Sequence, residues 1–358
     1  MLWQKSDLIG QPTRQKQREK RNKEREQREM EGENEKGRVC VTGGTGFIAS
    51  WLIMKLLQHG YSVNATIRSH PGSKKDISYI TNLPGASEKL QIFNADLSEP
   101  HSFEPALEGC IGVFHVAHPV DFEAREPEET VTRRSVEGTL AILKACLNSK
   151  TVKRVVYTSS ASAVVFNDKD EDMKDESSWS DVEFIRSLGS FAGPYMISKT
   201  ETERAALEFA EKHGLDLVTL LPSFVVGPFL CPFLPGSVQM ALAMIKGIQD
   251  QYQNLMNTSM VHVDDVASAH IFLLHYPNAK GRYNCSSNTI TINEMSEFLS
   301  AKYPQLPIPP TESLSGIQGY RTPGLSSKKL LDTGFVFKHG LDEMFDGAVQ
   351  CCKEKGFL

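Results

Sequence analysis

The segment "VCVTGGTGFIAS", residues 39–50, decides the fold, because a short β-branched run leads here into a glycine-rich turn and then a helix-like stretch. The first glycine of such a turn permits a tight bend, and the second lets the backbone approach a pyrophosphate at the N-terminus of the helix. The turn therefore predicts dinucleotide binding through Gly43, Gly46, Phe47 and Ile48. The alternative is a turn with a structural role only.

Strand-like and helix-like stretches alternate along most of the chain. The strand-like runs are RVCVTG, YSVNATIR, LQIFNAD, GVFHVAH, VKRVVYTSS and LDLVTLLPS, and helix-like stretches such as EETVTRRSVEGTLAILKACLNS separate them. This alternation is typical of βαβ units and of a parallel sheet covered by helices on both faces. We therefore predict an α/β fold with a Rossmann-type doubly wound parallel sheet over residues 37–222, forming an NADP-binding domain.

The pattern changes after Pro222, where PSFVVGPFLCPFLPGS is rich in proline and glycine and predicts a loop. Beyond it the pattern is mostly helical, with one late strand candidate at GRYNCS. We expect residues 223–358 to form a smaller, mostly helical substrate lobe, with some of its strands returning to the sheet.

Residues 1–36 form a charged leader without apolar periodicity, which we expect to be disordered and to lie outside the fold. Met30 is a candidate for the natural start. The net charge of −5 does not favour binding to nucleic acid. The sequence contains no apolar run of about 18 residues, so it predicts no membrane-spanning helix. Seven scattered cysteines without a C-x-x-C pair suit a cytoplasmic protein. We expect a monomer or a weak dimer.

The residues after the second predicted strand bear on the choice between NAD and NADP. A site for NAD favours an acidic residue here, which binds the ribose 2′-hydroxyl. The sequence has ATIRSHPGSKK instead, in which Arg68 offers a planar, permanently charged group suited to a phosphate and Lys74 and Lys75 lie close by. We predict NADP(H) as the cofactor. The alternative is that Arg68 simply ends a strand in solvent.

A second group of residues predicts chemistry on a carbonyl group. VVYTSSASAV places Ser160 at the end of a strand, where open α/β sheets build their sites. Tyr195 and Lys199 follow in GPYMISKTETER, one helical turn apart on one face. We predict that Tyr195 donates a proton to the substrate oxygen and that Ser160 orients the carbonyl group. Lys199 is predicted to lower the pKa of the tyrosine and to hold the nicotinamide ribose.

The predicted electrostatic effect has a calculable size. An ammonium about 6 Å from the phenol, at an effective dielectric of roughly 20, favours the phenolate by ~2.8 kcal/mol, or ~2 pKa units. That shift would bring Tyr195 from an ordinary pKa near 10 toward neutrality, where it can act as a general acid. Taken singly, each residue has an ordinary alternative: a turn for the serine, and a surface pair for the tyrosine and lysine.

Other polar patterns are less specific. His115 and His118 in HVAHP are predicted to line the site rather than to bind a metal. HVDDVASAH has metal-like spacing, but we expect Asp264 and Asp265 to cap the helix that follows. We predict no metal site.

Together, VTGGTGFIASW, GVFHVAHPVDF, KRVVYTSSAS, YMISKT, LPSFVVGP and VHVDDVASAHIFLL resemble the extended short-chain dehydrogenases/reductases of plant phenylpropanoid metabolism, from about residue 37 to residue 358. This group includes dihydroflavonol reductases, anthocyanidin reductases, cinnamoyl-CoA reductases and vestitone reductases. Within it, NLPGASEKL, LNSKTVKR, FLCPFLPGS and the ending MFDGAVQCCKEKGFL are most similar to the vestitone reductases.

The resemblance implies NADPH-dependent reduction of a small aromatic ketone of the flavonoid or isoflavonoid type. It assigns proton donation and ribose contact to Tyr195 and Lys199, and carbonyl orientation to Ser160. It also implies cofactor contacts from the 2′-phosphate to Arg68 and Lys75, from the adenine edge to Asp96 and Leu97, and elsewhere to Ala117, Pro222, Val225 and Ser237.

Some residues depart from the patterns of this group. Ala49 replaces the usual third glycine, FAGPYMISK lacks the signature of cinnamoyl-CoA reductases, and Val165 stands where dihydroflavonol reductases often have an asparagine. These departures favour a vestitone-like ketone, with a dihydroflavonol 4-reductase or another phenylpropanoid carbonyl reductase as the alternative.

Two further hypotheses come from different classes. A sugar-nucleotide epimerase or dehydratase shares the tyrosine and lysine but would want basic groups for a diphosphate in the last third, where LCPFLPGS and MALAMIKG are apolar. A non-catalytic NADP-binding protein would not need Ser160, Tyr195 and Lys199 together.

Overall fold

The structure, a computed structural model, describes residues 36–68, 76–119 and 126–358. The predicted leader up to residue 35 lies outside the described residues, and so do Lys74 and Lys75. The strands are β1 (Arg38–Val41), β2 (Ser62–Ile67), β3 (Leu90–Asn94), β4 (Cys110–His115), β5 (Arg154–Thr158), β6 (Met173–Lys174), β7 (Leu217–Pro222), β8 (Phe224–Val226), β9 (Asn257–His262), β10 (Gly281–Cys285), β11 (Asn288–Thr291) and β12 (Gly324–Leu325).

Seven of these strands form one parallel sheet within the described residues. Their order is β10-β7-β5-β4-β1-β2-β3, and every neighbouring pair runs parallel. The chain moves outward from β1 to β3 on one side and then crosses to β4 on the other, which is the doubly wound arrangement of a Rossmann-type fold. The predicted fold class is confirmed. The predicted division into a cofactor-binding domain and a substrate lobe at residue 222 stays a prediction.

Helices cover both faces of this sheet and also pack on the strands beyond Pro222. They are α1 (Phe47–Gln58), α2 (Ser78–Thr81), α3 (Ala86–Lys89), α4 (Glu104–Leu107), α5 (Glu128–Asn148), α6 (Val182–Ser187), α7 (Gly193–His213), α8 (Gly236–Ala241), α9 (Ala243–Lys246), α10 (Val263–His275), α11 (Ile292–Lys302), α12 (Thr311–Leu314), α13 (Lys328–Asp332) and α14 (Leu341–Glu354). Among the described residues, no helix has the length and apolar character needed to span a membrane.

Side chains of the central strand alternate between the two faces, as the period of a strand requires. Val39 and Val41 of β1 pack with α1 and α10, whereas Cys40 packs with α5 and α7. All three side chains are fully buried. Because both faces are covered, the strands read as nearly continuous apolar runs, which is the pattern that predicted the sheet.

The last third of the chain contains more strands than the sequence pattern predicted. β8, β9 and β11 form a three-stranded sheet that shares an apolar core with α8, α9, α11 and α14. The expectation of a loop after Pro222 is wrong at residues 224–226, which form β8. Three residues are too few for a periodic pattern to stand out between prolines and glycines. Nearby, β10 joins the main sheet by pairing with β7.

The start of α10 corrects a second expectation, that Asp264 and Asp265 cap this helix. The N-cap is His262, whose Nδ1 accepts a hydrogen bond of 3.1 Å from the backbone N–H of Asp264. The Asp264 carboxylate instead accepts hydrogen bonds from Trp51 (3.1 Å) and Lys55 (2.6 Å) of α1. The fully buried Asp265 accepts from two backbone N–H groups just before α14. Both carboxylates therefore hold elements together across the fold.

Arg154, the first residue of β5, ties the strand that leads to Ser160 to the end of α10. Its side chain is buried and donates two hydrogen bonds to the Asp216 carboxylate, at 3.0 and 2.9 Å. It also donates to the backbone carbonyls of Leu273 (2.9 Å) and Tyr276 (2.6 Å). Carbonyls at a helix C-terminus have no partner inside the helix, and a cation there is favoured by the helix dipole.

Replacing Arg154 by methionine should lower the free energy of unfolding by about 2 to 4 kcal/mol, because the buried carbonyls lose their donor and Asp216 loses its counterion. Chemical denaturation followed by circular dichroism measures this loss. Arg186→Met is the matched control: Arg186 pairs with Glu128 and Glu183, but its side chain is 45% exposed. The control should cost much less, because ion pairs between exposed side chains contribute little to stability. Equal losses in both variants would contradict the assignment.

Candidate active site

A cavity of about 970 Å³ opens at the carboxyl ends of the parallel strands. This is the edge at which open α/β sheets bind their ligands. All the described residues of the predicted site line this cavity: Gly43, Gly46, Phe47, Ile48, Arg68, Asp96, Leu97, Ala117, Ser160, Tyr195, Lys199, Pro222, Val225 and Ser237. Lys75 lies outside the described residues.

The glycine turn between β1 and α1 brings the backbone close to the end of β4. Gly43 has φ of +71°, and a Cβ atom on it would lie 3.0 Å from the Cα of Ala117. Gly46 is the N-cap of α1, and its N–H donates to the carbonyl of Gly43 at 2.9 Å. Thr42 Oγ1 accepts hydrogen bonds of 3.0 Å from the backbone N–H groups of Val116 and Ala117. A glycine-lined cradle at a helix N-terminus fits a pyrophosphate.

Arg68 and Asp96 lie at the ends of neighbouring strands, with Arg68 Nε 4.0 Å from the Asp96 carboxylate. The side chain of Arg68 is 54% exposed, so its charge is available at the rim of the cavity. Burial raises the pKa of Asp96, but hydrogen bonds from Ser98 and the charges of Arg68 and Arg134 outweigh burial and lower it overall. This rim therefore carries one ionised carboxylate and two cations.

The three predicted catalytic residues come together where β5 meets α7. Ser160 Oγ accepts a hydrogen bond of 3.1 Å from the backbone N–H of Ser162, which holds its side chain at the strand end. The hydroxyls of Ser160 and Tyr195 share a hydrogen bond. Lys199 is 4% exposed, and its Nζ donates to the carbonyl of Thr158 at 2.8 Å. The arrangement can orient a carbonyl oxygen and deliver a proton to it.

The charge states differ from the sequence-based prediction. Burial raises the pKa of Tyr195, and the hydrogen bond with Ser160 opposes only part of that rise. Burial also lowers the pKa of Lys199 to about 7, although the Glu203 carboxylate favours its charged form. The predicted lowering of the tyrosine pKa by ~2 units counted the attraction between the charges but omitted the desolvation of both groups. Tyr195 is therefore a neutral phenol at neutral pH, the form that can donate a proton.

Glu203, one turn beyond Lys199 on α7, is a residue that the sequence analysis missed. It is fully buried and accepts hydrogen bonds from Ser159 (2.8 Å) and Thr219 (2.6 Å). Arg282 of β10 donates two more, at 3.1 and 3.2 Å. In YMISKTETE the tyrosine, the lysine and the last glutamate are each four residues apart. This spacing could have indicated that the three side chains lie in a row on one face of a helix.

Of the two histidines near the end of β4, His118 lines the cavity as predicted, whereas His115 is fully buried behind the cavity wall, so the prediction that it lines the site is wrong. His115 is buried between Thr42 (2.9 Å) and Thr139 (3.0 Å), and burial lowers its pKa to about 3. His118 lines the cavity, and its ring lies edge-to-face with Tyr195. No cluster of three or more possible metal ligands occurs in the described parts of the chain.

The far end of the cavity is mostly apolar, with aromatic side chains at its mouth, and also has the polar side chains of Gln239, Gln251, Asn254, Ser259 and Thr322. Phe191 and Phe233 line it and are 55% and 49% exposed. Other apolar lining residues are Val165, Phe166, Met196, Phe224, Leu234, Met240 and Leu325. Among the described lining residues, the cationic side chains are Arg68, Arg134 and Lys199. A flat, uncharged molecule suits this end of the cavity.

Replacing Glu203 by glutamine should lower the pKa of Lys199 further, because the carboxylate is what favours the ammonium. Lys199 is charged at pH values below its pKa. In the variant it should therefore lose its charge at a lower pH than in the natural protein. A ¹³C titration of labelled lysine measures this midpoint. Leaving Arg282 without its counterion should also cost about 3 kcal/mol of unfolding free energy. The control is Glu201→Gln on the same helix, a residue whose partly exposed carboxylate pairs with Arg204. An unchanged Lys199 midpoint in the Glu203 variant would contradict this role.

Replacing Arg68 by serine should weaken NADPH binding about 10- to 100-fold, because a charge-assisted hydrogen bond to phosphate is lost. NADH lacks that phosphate, so its dissociation constant should change little. Fluorescence titration with both nucleotides gives the comparison. Arg133→Ser, on the exposed side of α5, is the control and should alter neither value. Equal weakening of NADPH and NADH would show that Arg68 does not read the phosphate.

Comparison with known proteins agrees with this geometry. Residues 39–286 match the model of the NAD dependent epimerase/dehydratase family. Vestitone reductase of Medicago sativa is 58% identical over 323 residues, which cover 90% of this chain and 99% of the relative. The crystal structure of the alfalfa vestitone reductase superposes with a TM-score of 0.83 at 56% identity, covering 90% of this chain and 100% of that one.

Two other relatives extend the comparison. Protein BRI1-5 ENHANCED 1 of Arabidopsis thaliana is 54% identical over 331 residues, 91% of each chain. Dihydroflavonol 4-reductase of Callistephus chinensis is 45% identical over 327 residues, 91% of this chain and 89% of the relative. The resemblance inferred from the motifs is confirmed. The chain belongs to the NAD dependent epimerase/dehydratase family, the extended short-chain dehydrogenases/reductases.

Proposed function

We propose that this protein is an NADPH-dependent reductase that converts the ketone of a flavonoid or isoflavonoid-type aryl substrate to an alcohol. The observation that carries the proposal is the hydrogen-bonded pair of Tyr195 and Ser160, next to the buried Lys199, at one end of a mostly apolar cavity. The relatives named as vestitone reductase and dihydroflavonol 4-reductase support the same reaction class.

The residues that would hold the cofactor follow the cavity from rim to centre. The glycine turn and the N-terminus of α1 bind the pyrophosphate, and Arg68 binds the 2′-phosphate. Asp96 accepts from the adenine edge, and Lys199 binds the nicotinamide ribose. Bound NADPH supplies the hydride that reduces the carbonyl carbon. The remaining cofactor contacts are Phe47, Ile48, Leu97, Ala117, Pro222, Val225 and Ser237.

The proton comes from the protein. Reduction leaves negative charge on the substrate oxygen, and the Tyr195 hydroxyl is placed to transfer its proton there. An alkoxide is far more basic than a phenolate, so a tyrosine with a raised pKa remains an effective donor. Ser160 donates a hydrogen bond to the same oxygen and fixes its position. A charged Lys199 stabilises the phenolate that remains.

The cavity favours an aryl ketone over a sugar nucleotide. A sugar nucleotide would bring a diphosphate in addition to that of the cofactor. It would therefore need cationic side chains other than those that bind the cofactor. Among the described lining residues, Arg68 and Arg134 both lie near Asp96, at the end assigned to the cofactor. Val165 lines the apolar end and offers no side-chain hydrogen bond. Dihydroflavonol reductases often have an asparagine at this position, which can bind ring hydroxyls of the substrate. The valine therefore favours a ketone of the vestitone type over a dihydroflavonol.

We also propose that the protein works in the cytoplasm as a monomer or weak dimer. All seven cysteines are buried as free thiols, which suits a reducing compartment.

The proposed function predicts that the protein oxidises NADPH in the presence of isoflavanone- or flavanone-type ketones and leaves UDP-sugars unchanged. Tyr195→Phe should lower kcat for the best ketone about 10²- to 10⁴-fold, the usual contribution of a positioned proton donor. NADPH fluorescence, measured on the same variant, should report binding close to that of the natural protein.

Tyr303→Phe is the matched control for the loss of a phenolic hydroxyl. Tyr303 lies in the last third of the chain and hydrogen-bonds to Asp346 at 3.0 Å, remote from the cavity lining. It should leave kcat unchanged. Turnover of a UDP-sugar, or full ketone reduction by the Tyr195 variant, would refute the proposal.

A further inference from the structure

His118 is a polar group in the wall of the cavity that the proposed chemistry does not use. It follows β4 and packs edge-to-face against Tyr195, with the ring centres 5.7 Å apart and the planes at 88°. The side chain is half-buried and lines the cavity. A group in this position is close to any substrate whose carbonyl oxygen reaches Tyr195.

A chain of hydrogen bonds fixes which nitrogen of His118 carries hydrogen. Ser135 Oγ donates to the carbonyl of Val131 at 2.9 Å, and a carbonyl can only accept. Ser198 Oγ donates its own hydrogen to Ser135 Oγ at 2.9 Å. The Ser198 oxygen is therefore left to accept from His118 Nε2, at 3.3 Å. The imidazole is thus the Nε2–H tautomer, and Nδ1 presents a lone pair.

The imidazole stays neutral near physiological pH. Burial lowers the pKa of His118 well below its usual value, and the nearby ammonium of Lys199 lowers it further. Nδ1 is therefore an acceptor rather than a donor. The hydrogen bond between His118 and the described residues is made through Nε2, which leaves Nδ1 available to a ligand, and an acceptor that loses its water to a bound ligand without gaining a new partner costs free energy.

We propose that His118 Nδ1 accepts a hydrogen bond from a hydroxyl group of the ketone substrate, and so makes this enzyme select hydroxylated aryl ketones. The inference rests on the proposed function and adds the substrate feature that the site reads. The substrate end also has polar side chains such as Gln239, Gln251 and Asn254, but the His118 ring packs directly against Tyr195, so its acceptor is placed to read a hydroxyl close to the reacting carbonyl group. A hydroxyl satisfies Nδ1, whereas a methoxy group in its place brings a second acceptor and leaves both unpaired.

The test compares two substrates that differ in one group: a hydroxylated aryl ketone and the same ketone with that hydroxyl methylated. His118→Phe keeps an aromatic ring against Tyr195 but removes the acceptor. The ratio of kcat/KM for the hydroxylated over the methoxy ketone should fall about 10- to 100-fold in this variant. His118→Asn keeps an amide oxygen near the position of Nδ1 and should retain part of the preference.

Two measurements that do not depend on turnover complete the test. Calorimetric binding of the hydroxylated ketone to the NADP⁺ complex should weaken by a similar factor in His118→Phe. A long-range ¹H–¹⁵N spectrum should show His118 as the neutral Nε2–H tautomer. Ser198→Ala removes the acceptor that fixes this tautomer, and should reduce the preference without abolishing reduction.

The outcomes separate this inference from the proposed function. If the natural protein reduces neither ketone, the proposed function fails and this inference fails with it. If it reduces both ketones with equal efficiency, or if His118→Phe lowers kcat/KM equally for both, the inference alone is refuted. A weaker affinity for NADPH in His118→Phe would assign Nδ1 to the cofactor and would also refute it.

Discussion

The burial of one ammonium group, that of Lys199, sets the conditions for the rest of the site. Removing a lysine from water favours its neutral form, so the fold must supply partners if the charge is to be usable. Among the described residues, the carbonyl of Thr158 accepts a hydrogen bond from the ammonium, and the Glu203 carboxylate raises the lysine pKa against the effect of burial. The balance leaves that pKa at about 7, so the charge on Lys199 responds to small changes in its surroundings.

That carboxylate links the active site to the sheet edge. Glu203 is fully buried, and Arg282 neutralises it from β10, a strand that belongs to the last third of the chain. The guanidinium of Arg282 stacks 3.6 Å from the ring of Trp179 and also donates to three backbone carbonyls. Breaking a buried ion pair by removing one partner is costly. The return of β10 to the sheet therefore serves the chemistry as well as the fold, since it brings the counterion of the residue that supports Lys199.

The parts of this site that were predictable from sequence are those encoded by local patterns. The glycine turn and the Tyr195–Lys199 spacing each lie within a dozen residues, and the alternation of strands and helices locates the carboxyl ends where they meet. The parts that were missed depend on contacts across the chain. Asp264 was expected to cap α10 because of its position, yet it bonds to α1 from more than 200 residues away. Arg282 and Glu203 are 79 residues apart in the sequence, and no local sequence pattern predicts that they form a pair.

The charge states of Tyr195 and Lys199 could not be predicted from spacing for a more general reason. Spacing gives the distance between two charges, and Coulomb attraction at that distance favours phenolate and ammonium together. Burial acts on each group separately and in the opposite direction, raising the pKa of Tyr195 and lowering that of Lys199. In the enclosed site burial is the larger effect, so both groups tend toward their neutral forms. A neutral phenol is the form required before reduction, and the charged lysine is most valuable afterwards, when the proton has left the tyrosine. In the proposed mechanism, the phenol is therefore ready to donate its proton at the start, and the charge of Lys199 becomes more favourable as the phenolate forms.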